Sequence, residues 1–254
     1  MKSEMKKIST SILLVFSMFM AIGQTDPAAK AALDKVSETT KSYTNIALDF
    51  SVSLENKKAN IPSTTMSGNI VISGDKYHLK LEGNEQISDG ERIWRILADD
   101  KVVETMAVDE MEEEGLTPNR LLTMYERGFK YRMGEKMPFR NKEVQLILLY
   151  PEDPSAVPYG SIELAIDPNK NQIVYLKELG KDGTETTYEI STFRSDLDLK
   201  EDSFTFNENN YPGFEVIDAD TGECVNPTAC TKYTEVLDGN NNLIDIKSSD
   251  GKSL

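Results

Sequence analysis

The hydrophobic pattern of the chain changes its period near residue 45. Before that point, apolar side chains recur every three or four positions, and Asp26-Pro27 supplies an N-cap followed by proline at the first helical position. This spacing predicts one amphipathic helix over residues 26–41. Its apolar side is formed by Ala29, Ala32, Leu33 and Val36.

From Ile46 onward the period is two. Ile46, Leu48 and Phe50 alternate with smaller or polar residues, which is typical of a strand with one apolar face. Similar stretches recur along the chain, separated by turn-forming residues such as Gly74-Asp75. The predicted strands are 46–54, 66–72, 77–81, 92–97, 102–106, 129–135, 143–150, 161–167, 172–179 and 185–193.

An acidic loop and a second short helix interrupt this meander. Residues 109–114 are rich in glutamate, and Thr117-Pro118 then begins a predicted helix over 117–127. The pattern therefore predicts a mainly β (α+β) fold, in which about ten antiparallel strands form a sheet that must curl. Its apolar face either fills with the protein's own side chains or lines a cavity, and the pattern leaves both possibilities open.

The first 23 residues have the layout of a cleaved signal peptide: a basic start, a short apolar run and small residues at the end. We expect the mature chain to begin at Gln24 and, with no cysteine near that point, to be exported without a lipid anchor. Residues 24–220 form one predicted domain, and 221–254 form a polar extension. Cys224 and Cys230 are close enough in sequence to close a small disulfide loop there.

Composition excludes several classes of function. The formal net charge of −15 disfavours binding to nucleic acid or to anionic lipid headgroups. The single histidine, His78, has no partners for a triad or a histidine metal site, and nucleotide-binding glycine motifs are missing from the sequence. We therefore expect a binding protein and not an enzyme, with no catalytic residues, metal or cofactor. A glycan-cleaving enzyme that uses two of the 43 acidic residues, and a structural domain with a filled interior, remain alternatives.

The order of several short motifs resembles the periplasmic outer-membrane lipoprotein carrier family, LolA. The resemblance runs from about Pro27 to Asp218, and one branch of the family is matched in particular by the later motifs. The motifs are Ala32-Leu33-Asp34-Lys35-Val36, Ser42-Tyr43, Asp49-Phe50, Gly68-Asn69-Ile70, Gly74-Asp75-Lys76-Tyr77, Ile87-Ser88-Asp89-Gly90-Glu91-Arg92-Ile93-Trp94, Tyr125-Glu126-Arg127-Gly128-Phe129-Lys130-Tyr131, Tyr150-Pro151-Glu152-Asp153-Pro154, Phe204-Thr205-Phe206 and Tyr211-Pro212-Gly213.

The resemblance implies an open, strongly curved antiparallel half-barrel of about ten or eleven strands, with a helical lid over an apolar cavity. A periplasmic monomer of this kind takes acylated lipoproteins from an inner-membrane lipoprotein-releasing transporter and delivers them to an outer-membrane acceptor. We expect the cavity to be lined by Ile46, Leu48, Phe50, Ile70, Ile72, Leu79, Trp94, Ile96, Phe129 and Tyr131. The lid would present Ala29, Ala32, Leu33, Val36, Leu121, Leu122 and Tyr125.

One turn departs from the family pattern. Many carriers have an Arg-Pro pair before the third strand, where this chain has Gly74-Asp75-Lys76, so control of the lid by that arginine does not carry over. The same fold also serves proteins that bind other lipids or sense stray lipoproteins. A periplasmic lipid or lipoprotein sensor is therefore the alternative function.

Overall fold

In the computed structural model, the described residues are 25–109, 122–225, 234–237 and 243–247. They contain one long helix, α1, and strands β1–β14. Helix α1 spans Pro27–Ser42, and the strands are β1 Ile46–Asn56, β2 Ile61–Ser73, β3 Lys76–Leu81, β4 Asn84–Ser88, β5 Arg92–Leu97, β6 Val102–Ala107, β7 Phe129–Phe139, β8 Lys142–Pro151, β9 Tyr159–Asp167, β10 Gln172–Gly180, β11 Thr184–Ser195, β12 Glu215–Asp218, β13 Thr234–Leu237 and β14 Leu243–Lys247.

Twelve of these strands form one sheet, in the order β12-β6-β5-β4-β3-β2-β1-β11-β10-β9-β8-β7. The order follows the chain except where β11 joins β1 and where β12 joins β6, and the end strands β12 and β7 are not neighbours within the described sheet. The mainly β, open antiparallel fold class is therefore confirmed. Strands β13 and β14 form a separate antiparallel hairpin inside the C-terminal extension.

The strand count differs from the prediction of ten or eleven. Strand β4 lies where the sequence suggested successive turns. It was not predicted because Asn84, Glu85 and Gln86 are all polar, so the segment shows no alternation of apolar and polar residues. Strand β12 has only four residues and pairs with β6 in a parallel orientation, which is an exception to the meander. Such a short strand carries no periodic signal of its own.

The chain divides into two compact units. Unit 1 contains the described residues 25–40, 54–63 and 125–187, and unit 2 contains the described parts of 41–53, 64–124 and 188–254.

Unit 1 contains the core of strands β7–β10. Ile147 on β8 lies directly opposite Leu164 on β9, and both side chains are fully buried. Such cross-strand apolar pairs are the main stabilising contacts of a sheet. Leu149 and Ile162 form a second pair on the same face, because they are two residues further along each strand.

Helix α1 begins where the sequence predicted a cap. The Asp26 carboxylate accepts hydrogen bonds from the backbone N–H groups of Ala28 at 2.8 Å and Ala29 at 3.4 Å. The same side chain accepts a bond from the Met133 N–H at 3.2 Å, and the Asp26 N–H donates to the Tyr131 carbonyl at 2.9 Å. These backbone hydrogen bonds hold the pKa of Asp26 below its usual value. The cap therefore also fixes the start of the helix to β7.

The predicted helix over 117–127 is only partly within the described residues. Residues 110–121, including Leu121, lie outside them. The described end is a 3-10 turn over Met124–Glu126 and not a continuing α-helix, so the prediction is wrong for that end. Gly128, with φ 80°, follows this turn and leads into β7.

The buried pair in unit 1 gives a stability prediction. Ile147→Ala should lower the free energy of unfolding by about 2–5 kcal/mol, because it leaves a cavity that the neighbouring side chains cannot fill. Ile61→Ala is the matched control: Ile61 is also a strand residue of unit 1, but it is 50% exposed, so the loss should stay within about 0.5 kcal/mol. Urea unfolding of the two variants measures the difference, and equal losses would contradict this account of the core.

Candidate functional site

An apolar cluster on one face of the sheet in unit 2 is the candidate binding surface. We call it cluster A. Its buried members are Ile46, Leu48, Ile70, Ile72, Tyr77 and Leu122, and Tyr43, Phe50, Leu79, Ile190 and Phe193 are partly buried against them. Six of the ten predicted cavity residues therefore meet in one place. They are Ile46, Leu48, Phe50, Ile70, Ile72 and Leu79.

Strand register explains why the β2 and β3 members share a face. Ile70 lies directly opposite Leu79, and Ile72 lies opposite Tyr77, so all four side chains point to the same side of the sheet. Gly68, two residues before Ile70, extends this face. A Cβ atom at Gly68 would lie 3.0 Å from the Phe50 Cζ atom and 2.6 Å from the Lys80 carbonyl oxygen. The glycine therefore leaves room for the Phe50 ring.

The prediction that Trp94 and Ile96 belong to the same surface is wrong. Ser88 lies opposite both Tyr77 on β3 and Ile93 on β5, so Ile93 is the β5 residue on the face of cluster A. Because successive residues of a strand point to opposite faces, Trp94 and Ile96 belong to the other face.

That other face carries a second cluster, which we call cluster B. It consists of buried Ile87, Ile96, Val103 and Val216, with Trp94, Phe206, Tyr211 and Phe214 packed against them. Its aromatic rings are stacked in sequence: the centroids lie 5.8 Å apart for Trp94 and Phe206, and 5.4 Å apart for Phe206 and Tyr211. The segment that ends at β12 thus covers this face with the protein's own side chains.

A small cavity of about 260 Å³ lies within this covering segment. It is lined by Phe206, Glu208, Asn209, Tyr211, Pro212, Gly213, Phe214 and Val216. The sequence motifs contained Phe204-Thr205-Phe206 and Tyr211-Pro212-Gly213, but they gave no sign that these residues cover the back of β5. The clustering of aromatic residues between 204 and 214 was the available signal.

A network of polar side chains lies beside cluster B, on the same face of the sheet. The Glu85 carboxylate lies 2.7 Å from His78 Nε2 and 3.1 Å from Lys80 Nζ, and the Tyr211 hydroxyl donates to it at 3.3 Å. Burial alone would raise the pKa of Glu85, but the hydrogen bonds from His78 and Lys80 outweigh burial and hold that pKa below its usual value. Burial and the Glu85 charge raise the pKa of Tyr211 to about 12. His78 is therefore part of a structural network on the back of the sheet.

The face of cluster A also carries polar atoms, because Gln86 lies opposite Leu79 on this side of the sheet. The hydroxyl of Tyr77 and the side-chain amide nitrogen of Gln86 are buried and have no hydrogen-bond partner within the described part of the chain. Burial raises the pKa of Tyr77, and the nearby Arg95 charge and the Gln86 amide oppose the shift. Leaving a polar group buried and unpaired costs about 1–3 kcal/mol, so two such groups in one apolar face require an explanation.

The two remaining predicted cavity residues lie in unit 1. Phe129 and Tyr131 are on β7, where Phe129 is buried and stacks on Tyr159 with the ring centroids 6.3 Å apart. The Tyr131 hydroxyl donates to the Tyr125 carbonyl at 2.6 Å. These residues belong to the packing of unit 1.

The described lid residues are divided between the two units. Ala29, Leu33 and Val36 form the buried side of α1, and Ala32 is half-buried beside them. Tyr125 is buried in unit 1, whereas Leu122 belongs to cluster A. Within unit 1 the helix is also held by the Ser37 hydroxyl, which donates to the Glu126 carboxylate at 2.6 Å.

Cys224 is disulfide-bonded. It lies next to β12, and its backbone forms an isolated antiparallel β-bridge with Ile217. Cys230, its predicted partner, lies outside the described residues. Across the described ranges, no group of three or more His, Cys, Asp or Glu residues is placed to hold a metal ion. No helix among the described residues is long and apolar enough to cross a membrane.

No protein-family model matches the sequence, and no curated protein matches it either. Among solved structures, the chain is similar to an uncharacterized conserved protein from Thermus thermophilus, with 10% identity over 75% of this chain and 99% of that one and a TM-score of 0.48. It is similar to the lipoprotein LppX of Mycobacterium tuberculosis, with 13% identity over 69% and 100% of the two chains and a TM-score of 0.46. It is also similar to a LolA superfamily protein from Nitrosomonas europaea, with 11% identity over 70% and 97% and a TM-score of 0.39. A LolA superfamily protein is thus among the structures that this chain resembles.

The Glu85 network gives a pH prediction. Because the folded pKa of Glu85 is lowered, its stabilising effect is present above pH 4.5, the usual value, and is lost as the pH falls through the folded pKa. Glu85→Gln should lower Tm by about 2–4 °C at pH 7, and the difference from the unsubstituted protein should shrink toward pH 3.

Glu143→Gln is the control for this measurement, because Glu143 forms an exposed ion pair with Lys136 and its side chain is 66% exposed. Its Tm should match that of the unsubstituted protein within about 1 °C at pH 7. A Tm difference for Glu85→Gln that is the same at pH 7 and pH 3 would contradict the role given to the carboxylate.

Proposed function

We propose that this protein is an exported, non-enzymatic carrier that binds the acyl chains of lipoproteins against cluster A and transfers them between the inner and outer membranes. The observation that carries the proposal is the set of large side chains in cluster A that are only partly buried, among them Phe50, Leu79 and Phe193. We take these side chains as part of a binding surface, because large contiguous apolar patches on soluble proteins commonly mark binding sites.

The energetics favour a hydrocarbon ligand. Each CH₂ group of an acyl chain that leaves water contributes roughly 0.8 kcal/mol, so one full-length chain contributes on the order of 10 kcal/mol. A carrier that buried its ligand as well as a bilayer would not release it. A surface that buries an acyl chain in part gives affinity for a client in water and allows its transfer to a membrane acceptor.

Two features of the sequence support transport over simple storage of lipid. The predicted signal peptide directs export, and the acidic composition disfavours direct adsorption to anionic membranes. A carrier with these properties needs protein partners at both membranes. We propose a lipoprotein-releasing transporter at the inner membrane and an acceptor at the outer membrane, in keeping with the resemblance to the LolA family. The lid role of α1 stays a prediction.

Co-purification tests the proposed ligand. The exported protein is isolated from the periplasm of its host, and whatever is bound is identified by mass spectrometry. We expect acylated lipoproteins. Recovery of free phospholipids or fatty acids without lipoprotein would contradict the carrier role and favour a lipid sensor, and recovery of glycans would contradict the binding surface altogether.

Substitution of one residue tests the assignment of the surface. Phe50→Glu places a charge within cluster A, where contact with an acyl chain would desolvate it, and should weaken binding of a diacylated lipopeptide at least roughly tenfold. Leu54→Glu is the matched control, because Leu54 is on the same strand but is 41% exposed and is not a member of cluster A. It should bind as the unsubstituted protein does.

Fluorescence titration with the lipopeptide measures both affinities, and circular dichroism checks that both variants are folded. If folded Phe50→Glu binds as tightly as Leu54→Glu, cluster A is not the binding surface.

A further inference from the structure

Two buried polar atoms lie on the face of cluster A, where most of the surrounding side chains are apolar. Tyr77 is 1% exposed, yet its hydroxyl has no hydrogen-bond partner among the described residues. The same holds, within those residues, for the amide nitrogen of Gln86. Proteins almost always pair such groups, so these two atoms indicate a partner that the folded chain does not supply.

The strand register places the two groups together. Gln86 lies opposite Leu79 on β3, and Tyr77 is two residues before Leu79 on the same strand, so both side chains point to the face of cluster A and are diagonal neighbours. Neither the Tyr77 hydroxyl oxygen nor the Gln86 amide nitrogen has a hydrogen-bond partner among the described residues.

The chemistry of the two groups selects the kind of ligand atom. The Gln86 nitrogen is only a donor, and the buried Tyr77 hydroxyl keeps its proton because burial raises its pKa. Two converging donors bind an acceptor oxygen. The neighbouring Arg95 is paired with Glu104 at 3.0 Å, so the local charge is balanced and a neutral acceptor fits better than a carboxylate or a phosphate.

We propose that the Tyr77 hydroxyl and the Gln86 side-chain amide bind the carbonyl oxygen of an ester-linked acyl chain whose hydrocarbon part lies along cluster A. This inference rests on the proposed function and refines it. The apolar side chains of Ile70, Ile72 and Leu79 bind any alkyl chain, whereas the two donors distinguish an acyl ester from a plain hydrocarbon. The site thus recognises the point where a fatty chain joins its glycerol unit.

A pair of synthetic lipopeptides tests the proposal. Both carry the same short peptide on a glyceryl-cysteine; one has two ester-linked palmitoyl chains and the other has two ether-linked hexadecyl chains without carbonyl groups. The unsubstituted protein should bind the ester form about three- to tenfold more tightly, which corresponds to one or two ordinary hydrogen bonds. Calorimetric titration gives both affinities.

Variants then assign the preference to the two residues. Tyr77→Phe and Gln86→Leu should each bring the ratio of the ester affinity to the ether affinity closer to one, because each removes one of the two donors. Tyr150→Phe is the matched control, because Tyr150 lies on β8 in unit 1 and is 37% exposed. It should keep the full preference.

Stability of the ligand-free protein gives an independent measurement. Tyr77→Phe removes a polar atom that lacks a partner in the described chain, so its Tm should be unchanged or higher. A clear fall in Tm would mean that the hydroxyl is already paired within the folded protein or with a fixed water, and would overturn the inference. Gln86→Leu gives the same test at the second donor.

The outcomes separate this inference from the proposed function. Equal binding of the ester and ether forms, with both bound tightly, overturns the carbonyl site and leaves the carrier proposal standing. Failure to bind either form overturns the proposed function and the carbonyl site with it. Preference for the ester form that persists in both Tyr77→Phe and Gln86→Leu places the recognition elsewhere and overturns the assignment.

Discussion

A β-sheet has two faces, and a chain that uses one face for binding must cover the other with its own residues. This constraint organises unit 2. Strands β5 and β6 carry apolar residues on both faces, so both faces need to be removed from water. The segment with Phe206, Tyr211 and Phe214 covers one of them as cluster B. Cluster A lies on the opposite face, and Phe50, Leu79 and Phe193 are only partly buried there.

The polar groups divide between the faces in the same way. On the side of cluster B, the Glu85 carboxylate is bonded to His78, Lys80 and Tyr211, so this network joins the covering segment to the sheet. On the side of cluster A, Tyr77 and Gln86 have buried polar atoms without partners in the described residues. A satisfied network stabilises a fixed structure, whereas unsatisfied donors in an apolar surface are suited to a ligand that arrives and leaves.

Much of the fold follows from local pattern. Helix α1 lies within one residue of its predicted bounds, since the Asp26 cap and the spacing of Ala29, Leu33 and Val36 are local signals. Strands such as β3 were predictable because Tyr77 and Leu79 alternate with His78 and Lys80. Strands β4 and β12 were not, because their residues are mostly polar or few.

The sequence could not predict to which face of the sheet the Trp94 side chain points. In β5, Ile93, Trp94, Ile96 and Leu97 occupy both parities of the strand, so alternation does not choose a face. Only the register through β4 decides it, and that register depends on pairing between strands. Cluster B likewise depends on a segment more than a hundred residues away in sequence. The members of cluster A that the sequence predicted as cavity residues lie on β1, β2 and β3, where large apolar residues occupy alternate positions of the strand.

The most direct test of the account asks which face an acyl chain touches. Trp94 is the sole tryptophan of the chain and belongs to cluster B, and a second protein with Trp94→Phe and Phe193→Trp moves the fluorophore to cluster A. Each protein is titrated with a diacylated lipopeptide whose chains carry bromine atoms, which quench tryptophan at short range. If acyl chains bind against cluster A, quenching should be strong in the Phe193→Trp protein and weak for Trp94 in the unsubstituted protein. Strong quenching of Trp94, with none at position 193, would contradict binding against cluster A.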